Sequence, residues 1–218
     1  CSNPYVVDSN PDSIKGYEKI NYFKNLDEII NDKIAEIDGV IVSTPSLMHL
    51  EHSINFIEND IPLLIEKPLT SNEKDDKKIL DMCIKRNSIL RCGLIELYNP
   101  VIEELANNKF NDIKFVHIKR HSPKASSDRL LENVLLDLLL HDISILFKIF
   151  KPQKIVCEGK NITYEGSMAE SVQVLLKVDD KYSVFLSSSR QDQEKIRTME
   201  ILDEDSSYFC DLKNKYYE

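Results

Sequence analysis

Glycine is scarce in this sequence. The 218 residues hold five, at positions 16, 39, 93, 159 and 166, and no two lie close enough for a GxGxxG turn or a Walker loop. Cysteine is equally thin. The five at 1, 83, 92, 157 and 210 form no CxxC pair, which argues against a disulfide framework or a zinc knuckle and points to reduced thiols. No stretch of about 18 uninterrupted apolar residues occurs, so no membrane span is expected. The N-terminus lacks the basic, apolar, small-residue order of an export signal, and the cytoplasm is the expected compartment. Basic clusters are missing too. The 28 Lys and Arg are interspersed with 37 Asp and Glu for a net charge of −9, whereas neutralising phosphates needs clustered cations. Nucleic acid is not an expected partner.

What is present is a chain with 42% hydrophobic residues, enough to bury a sizeable core in one large or two small domains. Residues 4–8, "PYVVD", read as a short strand ending in an acid, and 26–38 carry the apolar spacing of an amphipathic helix. "GVIVSTPS" is a β-branched run closed by polar residues and proline, as at the carboxyl end of a parallel strand. Helix follows over 47–59, strand over 62–66, helix over 71–87 with the cap-like "TSNEKDD", and strand over 88–95. This alternation predicts an α/β, Rossmann-type parallel sheet with right-handed crossovers.

Past Asn99-Pro100 the texture changes. A helix over 100–108, an alternating strand "IKFVHIKRH", a polar loop "SPKASSDR" and an apolar helix over 131–150 precede four alternating segments, "KIVCEGKNIT", "ESVQVLLKVD", "KYSVFLSSSR" and "IRTMEILDE". The expectation is an α+β domain with an open antiparallel sheet covered on one face by the helix. The domains are placed at 1–98 and 99–218.

In an open parallel sheet, ligands bind beyond the carboxyl ends of the strands. The residues to interrogate are therefore Asp8, then Ser43, Thr44 and Pro45, then Glu66 and Lys67, and the stretch from Glu96 to Asn99. Asp8 could accept from the hydroxyls of an adenosine ribose; it reads equally as a turn aspartate. Lys67 could be a solvated strand-end lysine, but Pro68 restricts its backbone, and a held ammonium can polarise a hydroxyl and stabilise a developing alkoxide. Glu66 could orient that ammonium or touch a cofactor, and a surface salt bridge fits as well. His49 could line a nicotinamide.

Asp137 and His141 share one face of an apolar helix, with Asp142 about 100° away. A buried structural pair explains them; so does an imidazole poised for proton transfer. No third ligand at a suitable spacing supports a metal. Tyr98, Asn99, Arg120 and Arg129 are candidate substrate contacts, the arginines because their fork matches a pyrophosphate.

With these motifs in hand, the sequence resembles the glucose–fructose oxidoreductase and inositol dehydrogenase (Gfo/Idh/MocA) family. "DGVIVSTPSLMHLEHSINFIENDIPLLIEKPLT" resembles its run from an aliphatic strand through "TP" and a histidine to "EKP"; "DLLLHDISIL" its Asp-x-x-x-His helix; "VVDSNPDSI" its second strand. The resemblance implies an NAD-dependent oxidoreductase, with NADP not excluded, acting on a sugar or cyclitol. It further implies Lys67, Asp137 and His141 as catalytic set, a cis Lys67–Pro68 peptide, and a homo-oligomer, dimer or tetramer. "GLIELYNPVIEELAN" and "IKRHSP" are similar to the branch that oxidises nucleotide-linked amino sugars, of the UDP-N-acetylglucosamine 3-dehydrogenase kind. The chain departs from that branch at Leu97, where an arginine is usual, and at Ser144 in "HDIS". The family's first βα unit with its glycine-rich turn has no counterpart here. The alternative to an enzyme is a non-catalytic binding or assembly module that keeps the architecture.

Overall fold

The computed structural model describes residues 4–17, 20–124 and 132–218. The chain divides into two compact units, Cys1–Gly93 and Leu94–Glu218. The sequence reading put the boundary five residues later. The turn Ile95–Tyr98 belongs with the second unit because its Glu96 is paired there, to Arg120 and Arg197.

The first unit is built from parallel strands. β1 (Tyr5–Val7) pairs with β2 (Asn21–Phe23), and α1 (Leu26–Asp32) leads on to β3 (Val40–Val42). α2 (His49–Glu58), β4 (Leu63–Ile65), α3 (Glu73–Arg86) and β5 (Leu90–Cys92) complete it. The strands form two separate ladders, β1-β2 and β3-β4-β5. Both lie on one hydrophobic cluster, in which Ile29, Val42, Phe56, Ile57, Leu63, Ile65 and Ile79 are buried and Tyr5, Val7 and Phe23 pack against them.

Local chemistry sets the helix ends. The Asn72 side chain accepts from Asp75 N–H at 3.0 Å and caps α3. Glu73, Asp75 and Asp76 face its positive end and Lys85 and Arg86 its negative end. Asn87 then stops it in the left-handed conformation at φ 55°. β2 is too short, at three residues, to show a period-2 pattern in the sequence.

The second unit carries a sheet of order β12-β11-β10-β6-β9-β8-β7. After α4 (Pro100–Leu105) come β6 (Phe115–His121), α5 (Leu140–Phe150), β7 (Ile155–Glu165), β8 (Met168–Val178) and β9 (Tyr182–Ser189). β10 (Ile196–Leu202), β11 (Ser207–Asp211) and β12 (Tyr216–Tyr217) close it. The sheet is mixed, because β6 pairs with β9 in parallel while the other neighbours are antiparallel.

Alternation decides which residues go inside. Val116, Ile118, Val184, Leu186, Met199 and Ile201 point to one face and bury against Ile145, Leu146 and Ile149 of α5. On the opposite face Phe115, Leu175 and Leu202 remain exposed.

Asn99 fastens this unit. Its Oδ1 accepts from Val101 N–H at 3.1 Å to cap α4, and its Nδ2 donates to the Leu212 carbonyl at 2.8 Å. Both ends of the amide, a candidate substrate contact in the sequence, are thus engaged inside the fold. Asn99→Ala removes a cap and a buried hydrogen bond together, and a loss of about 1–2 kcal/mol is expected in urea melts.

Candidate active site

In the first unit the polar residues lie where the parallel strands end. The ladder runs one residue past β4 and β5: Glu66 N–H donates to the Val42 carbonyl at 2.8 Å and Gly93 N–H to the Ile65 carbonyl at 2.7 Å. This brings Glu66 against Gly93 so closely that a Cβ at 93 would sit 2.8 Å from Glu66 Oε2. A side chain at 93 would displace the carboxylate and press on Glu66 Cα at 3.2 Å. Burial pushes the neighbouring Cys92 thiol up, with Glu66 and Asp76 adding to the rise and Lys67 opposing it.

Lys67, half-buried, follows Glu66, and the Lys67–Pro68 peptide is cis. Its loop is pinned from both sides. His49, 1% exposed, sets Nδ1 at 3.0 Å from the Pro68 carbonyl and 3.1 Å from that of Leu69, and Nε2 at 2.7 Å from the Thr44 carbonyl. Thr70 Oγ1 donates to the Asn72 carbonyl at 2.8 Å and lies 2.7 Å from Asp76 Oδ1. His49 was expected to line the nicotinamide. Instead it staples the loop after β3 to the loop after β4, and so helps hold Lys67. Ser43 and Pro45 are exposed and Thr44 half-buried, its hydroxyl 3.0 Å from His52 Nδ1. Asp8 closes β1, and its Oδ1 accepts from Asn10 N–H at 2.8 Å. The turn reading of this residue is therefore present in the structure.

These strand ends offer a dinucleotide some of what it needs. An acid after β1 and a lysine, a glutamate and hydroxyls after β3 and β4 suit the ribose and nicotinamide ends. The pyrophosphate finds no cradle among the described residues. α1 and α3 begin with Asp27 and Glu28 and with Glu73, Asp75 and Asp76, whose charges repel an anion at that position.

The second unit holds the other candidates. Asp137 sits in a π-helical turn, Leu135–Leu139, and His141 one step into α5. A single apolar helix was expected here; the extra residue per turn marks a local departure of the kind that clusters at functional sites. His141 is 8% exposed. Asp137 Oδ2 accepts from Arg190 Nη2 at 2.7 Å.

Asp142 turns away from this face into the core, where it meets Arg120. Arg120 Nε donates to Asp142 Oδ1 at 2.7 Å, and its Nη1 lies 3.2 Å from Glu96 Oε1. Arg197 Nη1 donates to the same Glu96 oxygen at 2.9 Å, and Ser188 Oγ to Asp142 Oδ2 at 3.2 Å. Arg120, expected to contact substrate, is 1% exposed and spends its charge on these ion pairs. Burial works against the Glu96 charge, but Arg120 and Arg197 outweigh it and hold the carboxyl below its usual range. For Asp142, completely buried, burial prevails and pushes the carboxyl up. Tyr98 is 71% exposed. Arg129 lies outside the described residues.

Sequence reasoning missed Arg190, Glu170 and Arg197, and named Glu96 only as a strand-end residue, not as a partner of Arg120 and Arg197. One signal was available for Arg120: it follows Val116 and Ile118 at period 2, which places it on the buried face of its strand.

Comparison with known proteins agrees with this architecture. The model of the oxidoreductase family with NAD-binding Rossmann fold (GFO_IDH_MocA) matches residues 6–94. UDP-N-acetylglucosamine 3-dehydrogenase of Acidithiobacillus ferrooxidans is 23% identical over 182 residues, covering 83% of this chain and 58% of that protein. A crystal form of the same enzyme aligns with a TM-score of 0.85 at 21% identity, over 98% of this chain and 70% of that one. Levoglucosan dehydrogenase, in complex with NADH and levoglucosan, aligns with a TM-score of 0.83 at 15% identity, over 97% and 65%. The chain spans about half the length of the curated relatives it matches. Residues 6–94 match the model of that NAD-binding Rossmann-fold family, and the chain as a whole carries the fold of the dehydrogenases named above.

Proposed function

We propose that the protein oxidises a secondary alcohol of a sugar, one linked to a nucleotide, with NAD as hydride acceptor. The observation that carries the reading is Lys67: a half-buried ammonium at the end of a parallel strand, on a loop that His49 and Thr70 pin from either side. Asp137 and His141 on the second unit, and the relative that acts on a UDP-linked sugar, support it.

In this mechanism the His141 imidazole takes the hydroxyl proton while the Lys67 ammonium donates a hydrogen bond to the oxygen and lowers the cost of its negative charge. The carbinol carbon then loses its hydrogen with the electron pair, and the C–O bond becomes a carbonyl. Bound nicotinamide supplies the acceptor for that hydride. Asp137 steadies the imidazole, and Glu66 orients the ammonium. Tyr98 is the exposed residue proposed to contact the substrate, while Ser43, Thr44 and Pro45 would border the nicotinamide and Asp8 would receive the adenosine ribose. The second unit, which carries Asp137 and His141, is proposed to bind the nucleotide sugar. The exposed Phe115, Leu175 and Leu202 on the uncovered sheet face support a homo-oligomer.

A second reading draws on the acids at the starts of α1 and α3: a module that keeps the fold and binds no dinucleotide. Titration of the natural full-length polypeptide with NADH, followed by nicotinamide fluorescence, separates the two. Saturable binding is expected, weaker for NADPH by roughly tenfold or more because Asp8 repels a 2′-phosphate. No binding of either nucleotide would leave the module reading.

A further inference from the structure

We infer that Arg190 is a positioning residue that clamps the Asp137 carboxylate, and with it the π-helical turn leading into His141. The inference rests on the dehydrogenase reading of those two residues.

Arg190 follows directly on β9 and is 2% exposed. Its Nη2 donates to Asp137 Oδ2 at 2.7 Å and to the Glu132 carbonyl at 2.8 Å. One nitrogen therefore ties down both the chain entering the π turn and the carboxylate at its middle. The arginine is itself held. Its backbone N–H donates to the Glu170 carbonyl at 2.9 Å, and Glu170 Oε1 lies 3.9 Å from Nη1.

Charge makes the arrangement more than packing. A guanidinium this deep needs an anion, because an unpaired buried cation is strongly disfavoured. Glu170, at 3.9 Å, is too far for a hydrogen bond, so Asp137 provides the close one. The pairing works in both directions: Asp137 stabilises the buried cation, and the single nitrogen shared with the Glu132 carbonyl restrains the carboxylate, a two-point contact that a lysine reproduces only in part. Asp137 side-chain exposure is 28%, so the clamped carboxylate borders solvent while its clamp does not. That is the construction expected of a reacting group fixed from behind by a buried support.

The test uses Arg190→Gln and Arg190→Lys in the natural full-length protein, with NAD and UDP-N-acetylglucosamine as probes. Loss of orientation is expected to lower kcat about 100-fold in Arg190→Gln, with the KM for NAD unchanged, and Arg190→Lys is expected to recover part of the rate. An undiminished kcat in Arg190→Gln, or a loss confined to KM for NAD, overturns the inference. If the unmodified protein turns over no sugar, the dehydrogenase reading fails, and the clamp is judged by nitrogen-15 spectra of the Arg190 guanidinium. Separate, slowly rotating Nη signals that merge in Asp137→Asn support it; the same averaged signal in both proteins overturns it.

Discussion

Arg120→Met is expected to cost the Leu94–Glu218 unit about 3–5 kcal/mol of folding stability, read from urea denaturation, because it leaves buried Asp142 without a cation and Glu96 with one in place of two. Asp142 is fully buried and loses its 2.7 Å partner, keeping only the Ser188 hydroxyl; Glu96 keeps Arg197 alone. The loss comes from the uncompensated charge more than from the missing bond. Arg120→Met combined with Asp142→Leu is therefore expected to recover much of it, since removing both members of a buried pair is far milder than removing one. A double variant as unstable as the single one would show that the ion pair itself stabilises the unit.

The same cluster makes stability depend on pH in two opposing ways. Glu96 ionises below its usual range in the folded protein, so its contribution is complete above the ordinary carboxylate value and is lost as pH falls through the depressed one. Asp142, pushed up by burial, acts with the opposite sign: it favours the fold at low pH, and that gain fades as pH rises from the ordinary value towards the raised one.

Lys67→Met and His141→Gln are each expected to lower kcat by about 10²- to 10⁴-fold, the usual effect of removing a proton-transfer or charge-stabilising group. Methionine keeps the length of Lys67 on its pinned loop, and glutamine retains much of the volume at a position only 8% exposed. The fold is thus expected to survive in both, which circular dichroism checks. The NADH titration separates their roles. His141→Gln should leave the dissociation constant in place, whereas Lys67 stands among the strand-end residues proposed to meet the cofactor. Turnover close to that of the unmodified protein in either variant would remove the mechanism.

The parallel unit was legible because its strands end in chemistry that chain order alone exposes, as in "GVIVSTP" and "IPLLIEKP". Asp137 and His141 were legible because two polar residues four apart interrupt an apolar helix. The partners of that helix were not. Glu170 and Arg190 come from β8 and the residue after β9, and the approach of Arg190 to Asp137 and to Glu170 exists only once strands register across the sheet. The parallel pairing of β6 with β9 was hidden for the same reason, since alternation tells a strand's faces but not its neighbour. The loop contacts of His49 were not legible, because a histidine beside a strand end looks alike whether it faces a ligand or three carbonyl oxygens.

Among the described residues the two ladders of the first unit share a core but no strand pairing, so they present four rims where a continuous sheet of five strands would present two. On β3 the rim lies beside Ile41, which is 70% exposed. Rows of unmatched amides next to an apolar side chain can recruit any extended polypeptide, and only the brevity of three-residue strands blunts that recruitment. How those rims are covered therefore bears on the association of this half of the molecule.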